Sequence, residues 1–217
     1  MAKNDSLAVF KARGSAGPIT YANWKGIGYF KQKAFVVANP KTDGQINARA
    51  RLSLMVTAFQ LLGSAVNAGF KEMAVKMSAY NAFVKENINS ALLYVSLGVY
   101  EIVPEDLKVS KGTLGNTAIA TSSATAAGNT LTVTYDNTVQ SYNQSLDDEV
   151  QILYTNRDTG VTGWSLASGQ TRADGTVTVT VEGGVSLGEE IECYMWFKAP
   201  TGTKVSDSQY VLITAGA

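Results

Sequence analysis

The sequence predicts an α+β protein in which N-terminal β-hairpins with a small helical cluster are followed by an Ig-like antiparallel β-sandwich. Three observations predict it. Glycine-separated runs of apolar and aromatic residues fill residues 7–38, an apolar pattern of three-to-four spacing fills residues 44–87, and short alternating runs bounded by turn residues recur after residue 105. The change of pattern divides the chain into residues 1–105 and 106–217.

The first stretch reads as hairpins. Gly14 and Gly17 give the backbone freedom a tight reversal needs, Pro18 stiffens the exit, and Gly26 and Gly28 bracket a second turn. Gly26-Ile-Gly28 lacks the third glycine and the following helix of a phosphate-binding loop, so it is a turn. Asn39-Pro40-Lys41-Thr42 then switches the chain to helix, because proline disfavours helix at the residue before it and Thr42 or Asp43 can cap the next turn. Ala48, Leu52, Met55, Val56, Phe59 and Leu62 predict one buried face over residues 44–62, with Gly63 as the stop. A second helical stretch covers residues 65–73 and a third starts at Ser78, whose hydroxyl can cap it. Phe70, Met73, Met77, Tyr80 and Phe83 are core or interface residues.

Residues 91–103 are β-prone, Pro104-Glu-Asp106 is a turn, and residues 107–109 open the second part as a strand. Further strands are expected at residues 130–135, 149–155, 163–166, 176–181, 190–197 and 209–214, a seven-strand pattern. Alternation puts Leu131, Val133 and Tyr135 on one side of their strand, Val177, Val179 and Val181 on one side of theirs, and Ile191, Cys193, Met195 and Phe197 on one side of theirs, which makes Cys193 a buried core residue. The opposite side of that last strand carries Glu192, Tyr194 and Trp196, an aromatic pair expected to face outward as an interface. Asp147-Asp148-Glu149 reads as a solvated turn or docking patch; calcium is conceivable, but EF-hand spacing is missing.

Composition narrows the chemistry. The 217 residues contain no histidine and one cysteine, Cys193, so Ser-His-Asp, Cys-His and zinc sites cannot be built and no disulfide closes within the chain. A carboxylate-pair hydrolase survives this filter but has no paired motif behind it. We therefore expect a non-enzyme with no cofactor and no metal. The longest apolar stretches, residues 52–62 and 91–97, fall well short of the roughly 20 residues that span a bilayer, and no signal-like run follows Met1, so the expectation is cytoplasmic synthesis without a membrane span.

Charge is zero overall but unevenly placed. Residues 1–112 hold 14 Lys and Arg against 7 Asp and Glu, whereas residues 113–217 hold 4 against 11. Within the first part the excess lies in residues 1–51. A basic arm of this kind can neutralise nucleic-acid phosphates, meet the acidic face of another copy, or remain a solvated surface.

Gly14-Ser-Ala-Gly17, Asn39-Pro40-Lys41-Thr42, Gln45 with Arg49 and Arg51, Gly69-Phe70, Met77-Ser-Ala-Tyr-Asn-Ala-Phe83 and Asn87 together resemble a largely uncharacterised family of about this length found in Bacteroidota and their tailed, crAss-like phages. The resemblance is strong over the N-terminal half and general over the Ig-like half. It implies a virion structural protein made in the host cytoplasm: a head-tail connector, neck or tail ring component present in multiple copies, or alternatively a capsid-decorating or host-surface-binding module. Expected partners are further copies of the chain and other virion proteins, with possible DNA contact through the basic arm. The residues expected at the assembly interface are Lys11, Arg13, Trp24, Lys25, Lys31, Lys33, Arg49, Arg51, Tyr194 and Trp196.

Overall fold

The computed structural model describes residues 2–3, 13–24, 27–34, 36, 39–165 and 169–216, and the chain forms two compact units, Met1–Thr42 and Asp43–Ala217. The division falls where Asn39-Pro40-Lys41-Thr42 ends the extended region, not near residue 105.

The first unit is a four-stranded sheet in the order β1-β4-β3-β2, built from β1 (Ala2–Lys3), β2 (Gly14–Ala16), β3 (Ile19–Trp24) and β4 (Ile27–Gln32), with every neighbouring pair antiparallel. Gly17 turns β2 into β3 with φ +56°, a left-handed conformation that glycine adopts without strain. Tyr21 stands opposite Phe30, ring centroids 6.4 Å apart. The start of the expected hairpin stretch, residues 7–12, and Gly26 of the second turn lie outside the described residues.

In the second unit α1 runs without interruption over Asp43–Gly69, joining two helical stretches that the sequence separates at Gly63. Met55, Ala58, Leu62, Ala65 and Val66 lie on one buried face at three-to-four spacing. Packing along that face outweighs the modest helix-weakening effect of one glycine, roughly 1 kcal/mol. Among the glycines of α1, Gly69 has a structural reason: a Cβ there would collide with the Val109 carbonyl and with Ser110, and its carbonyl accepts bonds from Ser110 Oγ at 3.0 Å and Lys111 N at 3.1 Å. By length and composition α1 could cross a membrane, which the separated reading missed; here its apolar face builds the core.

Ser78 caps α2 (Ala79–Asn87), accepting from Asn81 N at 3.2 Å. The helices meet through Phe59, Tyr80, Phe83 and Phe70, at centroid separations of 5.0 to 6.3 Å. Buried Asn87 ends α2 by bonding the Phe83 carbonyl and both backbone groups of Lys108, at 2.8 to 3.0 Å. Asn87 takes both backbone groups of Lys108, Leu107 N donates to the Pro104 carbonyl and Val109 N to Ser208 Oγ, so residues 107–109 form no strand. Between them lies a two-stranded hairpin, β5 (Leu92–Ser96) and β6 (Val99–Ile102), then a 3-10 turn at Pro104–Asp106.

The remaining strands are β7 (Ile119–Thr125), β8 (Thr130–Tyr135), β9 (Glu149–Asn156), β10 (Thr162–Ser165), β11 (Thr176–Thr180), β12 (Glu190–Lys198) and β13 (Gln209–Gly216). They form one sheet in the order β10-β9-β12-β13-β7-β8-β11, antiparallel except where β13 meets β7 in parallel. The sheet curls so that Leu131, Val133 and Val177 share one core with Ile152, Ile191, Cys193, Met195 and Phe197, an arrangement compatible with an Ig-like domain. A second core covers the outer face of β9 and β12, where Leu153, Tyr194 and Trp196 pack with Met55, Leu62, Val66, Phe70 and Phe83 of the helices.

Candidate functional site

Tyr194 and Trp196 correct the sequence expectation most sharply. They are on the face predicted, but they are 3% and 0% exposed, because the helix layer lies over that face. Tyr194 Oη donates to the Pro104 carbonyl at 2.9 Å, and burial pushes its phenol pKa up. The Trp196 and Trp164 indole N–H groups and the Gln151 amide are also buried on this side of the sheet without hydrogen-bond partners. A strand flanked by cores on both faces reads as a nearly continuous apolar run, and 193–197 is such a run.

The expected basic residues divide between the units. In the first, Arg13, Lys31 and Lys33 are exposed, Trp24 closes β3 opposite Ile27, and Lys11 and Lys25 lie outside the described residues. In the second, Arg49 is on the exposed side of α1, while Arg51 donates to Asn89 Oδ1 at 3.0 Å and holds its guanidinium 5.9 Å from the Tyr100 ring centroid. Arg51 is therefore half-buried and fixes the hairpin to α1. The acidic run is also corrected: Asp148 is buried against Arg172 at 3.3 Å, and Glu149 pairs with Lys198 at 2.9 Å. Cys193 is fully buried, which pushes its thiol up to about 12 and leaves it without thiolate character at neutral pH.

What the structure does bring together is a cleft between α1 and the outer sheet face. Leu61, Leu62, Ile102, Leu107, Thr155 and Tyr194 line about 180 Å³ of mostly apolar space. Glu192 stands in its wall with a side chain 14% exposed. Burial raises the Glu192 pKa against the opposing pull of Arg157, whose Nε lies 3.7 Å away and whose Nη1 also bonds Glu190 at 2.8 Å. Glu190 and Glu192 thus share one guanidinium, while Glu105 follows Pro104, whose carbonyl holds Tyr194 Oη, and the Tyr194 ring packs 5.3 Å from Tyr210, so the three carboxylates belong to neighbouring parts of one edge. Sequence reading missed this rim because Glu105 sits some 85 positions from the other two. A neighbouring apolar surface is the β5–β6 hairpin, where Leu93, Tyr94, Val95, Leu97 and Val99 are each about half exposed.

Charge follows the structural division. Residues 1–42 hold seven Lys and Arg against Asp5 alone, a net +6, and residues 43–217 hold eleven against seventeen, a net −6. A family of unknown function, DUF6266, matches residues 11–212. The chain belongs to DUF6266. The match takes in the basic unit from residue 11 on and the acidic unit as far as residue 212, including every residue that lines the cleft. No curated protein matches the chain.

Proposed function

We propose that this DUF6266 protein is a non-catalytic bacteriophage virion structural protein that assembles in multiple copies, as a head-tail connector, neck or tail ring component. The observation that carries the reading is the charge division: a compact unit of +6 with exposed Arg13, Lys31 and Lys33 joined to a compact unit of −6 with an acidic-rimmed cleft. Opposite charges on two surfaces of one chain suit head-to-tail contacts, which close into rings when the rotation permits. The resemblance of the Asn39-Pro40-Lys41-Thr42 and Met77–Phe83 segments to phage-associated sequences supplies the virion context. Light scattering of the full chain tests the assembly: multimers are expected at low salt and dissociation at high salt. Mass spectrometry of purified particles tests the location, and a chain absent from them refutes it.

A second reading, a capsid-decorating or host-surface-binding module, is favoured by the loop between β8 and β9, where Val139 and Leu146 are about half exposed and Tyr142 is fully exposed. Such loops on a sandwich scaffold are common recognition elements. DNA contact by the basic unit is a further partner in the same setting, and salt-dependent filter binding reads it directly.

A further inference from the structure

We propose that the N-terminal sheet of one copy docks on the cleft between α1 and β12 of a second copy, with Lys31 and Lys33 facing Glu105, Glu190 and Glu192. This rests on the multi-copy reading above and names its contact. Three features argue for it. The cleft has an apolar floor, Leu61, Leu62, Leu107 and Tyr194, ready to take a large side chain from a partner. Glu192 lines it, Glu190 shares Arg157 with Glu192 at 2.8 and 3.7 Å, and Glu105 sits on the turn whose Pro104 carbonyl holds Tyr194 Oη, so the edge of the groove is acidic as well as apolar. The N-terminal sheet offers the complement: exposed Lys31 on β4 and exposed Lys33 just past its end, with part-buried Tyr29 on the same face of the strand as Lys31.

Because donor and acceptor surfaces differ, a pair joined by one contact keeps one of each unused, and the contact propagates into a ring or filament. Glu192 is already largely withdrawn from water, so an ammonium brought against it is screened less than a pair on open surface. The charge separation of +6 and −6 steers the encounter at low salt.

Charge exchange on the full-length chain tests this. One variant carries Lys31→Glu with Lys33→Glu, the other Glu105→Lys with Glu190→Lys. Each alone should weaken self-association at least about tenfold relative to the wild type. Mixed in equal amounts they should restore multimers containing both, because each reversed surface meets its complement; native mass spectrometry reads the composition. Circular dichroism and melting check the fold, and Glu105→Lys alone, on the exposed 3-10 turn, serves if the Glu190 change disturbs Arg157. Folded variants that multimerise as the wild type does overturn the contact and leave the multi-copy reading standing. A mixture that stays monomeric overturns the contact as well. A wild-type chain that is monomeric at every concentration and salt, and absent from particles, removes both.

Discussion

Replacing Asp148 with alanine leaves the Arg172 guanidinium buried without its carboxylate. Both side chains are at most 1% exposed, with Nε and Oδ2 3.3 Å apart. Arg172 Nη2 donates to the Gly115 carbonyl at 2.8 Å, Nη1 has no partner, and Cζ lies 3.9 Å from the Phe197 ring centroid in the sandwich core. Burial already pulls the Arg172 pKa down, with Asp148 the first opposing influence. Breaking a buried pair by removing one partner costs roughly 3–5 kcal/mol, because the remaining charge stays desolvated. In a domain of this size that lowers the melting temperature by roughly 10 °C. Urea and thermal melts by circular dichroism read it. Asp148→Leu combined with Arg172→Met removes both charges and should lose less than Asp148→Ala alone. If Asp148→Ala melts within about 3 °C of the wild type, a loss of about 1 kcal/mol or less, the reasoning is refuted, since the guanidinium would then have found water or another acceptor.

Gly63→Ala should stabilise the protein by roughly 0.4–1 kcal/mol, since the added methyl meets only the Phe59 ring at 3.8 Å, whereas Gly69→Ala should cost roughly 1–3 kcal/mol by colliding with Val109 and Ser110. Equal melting temperatures for the two would contradict that assignment. Cys193 should resist thiol reagents in the native state and react once denatured, so rapid native labelling would show that the core opens. The Lys111 ammonium, bonded to Glu86, holds that carboxyl below its ordinary 4.5, with burial opposing and Lys108 at 2.9 Å assisting. A depressed folded-state pKa contributes stability that is present above the ordinary value and lost as pH falls through the folded one. Glu86→Gln should therefore be less stable near neutrality and show a shallower acid limb below about pH 4.5; an unchanged pH profile would dispose of the linkage.

Legibility followed how local each determinant is. β8 was readable to the residue because Leu131, Val133 and Tyr135 alternate against threonines, and Ser78 was readable as a cap because its bond to Asn81 spans three positions. β7 was missed: in Ile119–Thr125 only Ala124 is buried, so the strand carries almost no apolar signal and is held by pairing with β8 and β13. Asp148 looked like part of a solvated turn because Arg172, 24 positions on, supplies its partner. The outward reading of Tyr194 and Trp196 failed for a related reason. Alternation assigns residues to opposite faces but does not say whether the second face is covered.

That covered face decides what part of the chain can fold alone. Residues 106–217 look like a complete sandwich by strand count, yet removing α1 and α2 would expose Leu153, Tyr194 and Trp196, together with Val109 and Val205 beside them. At roughly 2 kcal/mol for each large apolar side chain returned to water, the loss approaches roughly 10 kcal/mol, the scale of a whole domain's stability. The 106–217 fragment should aggregate or bind hydrophobic dyes, while residues 43–217 should unfold in one cooperative transition. A monomeric 106–217 fragment that melts cooperatively without dye binding would refute the two-core account. If the fragment fails as expected, glycan or host-surface screens belong on residues 43–217, because an exposed Tyr194–Trp196 face would bind many things for reasons unrelated to function.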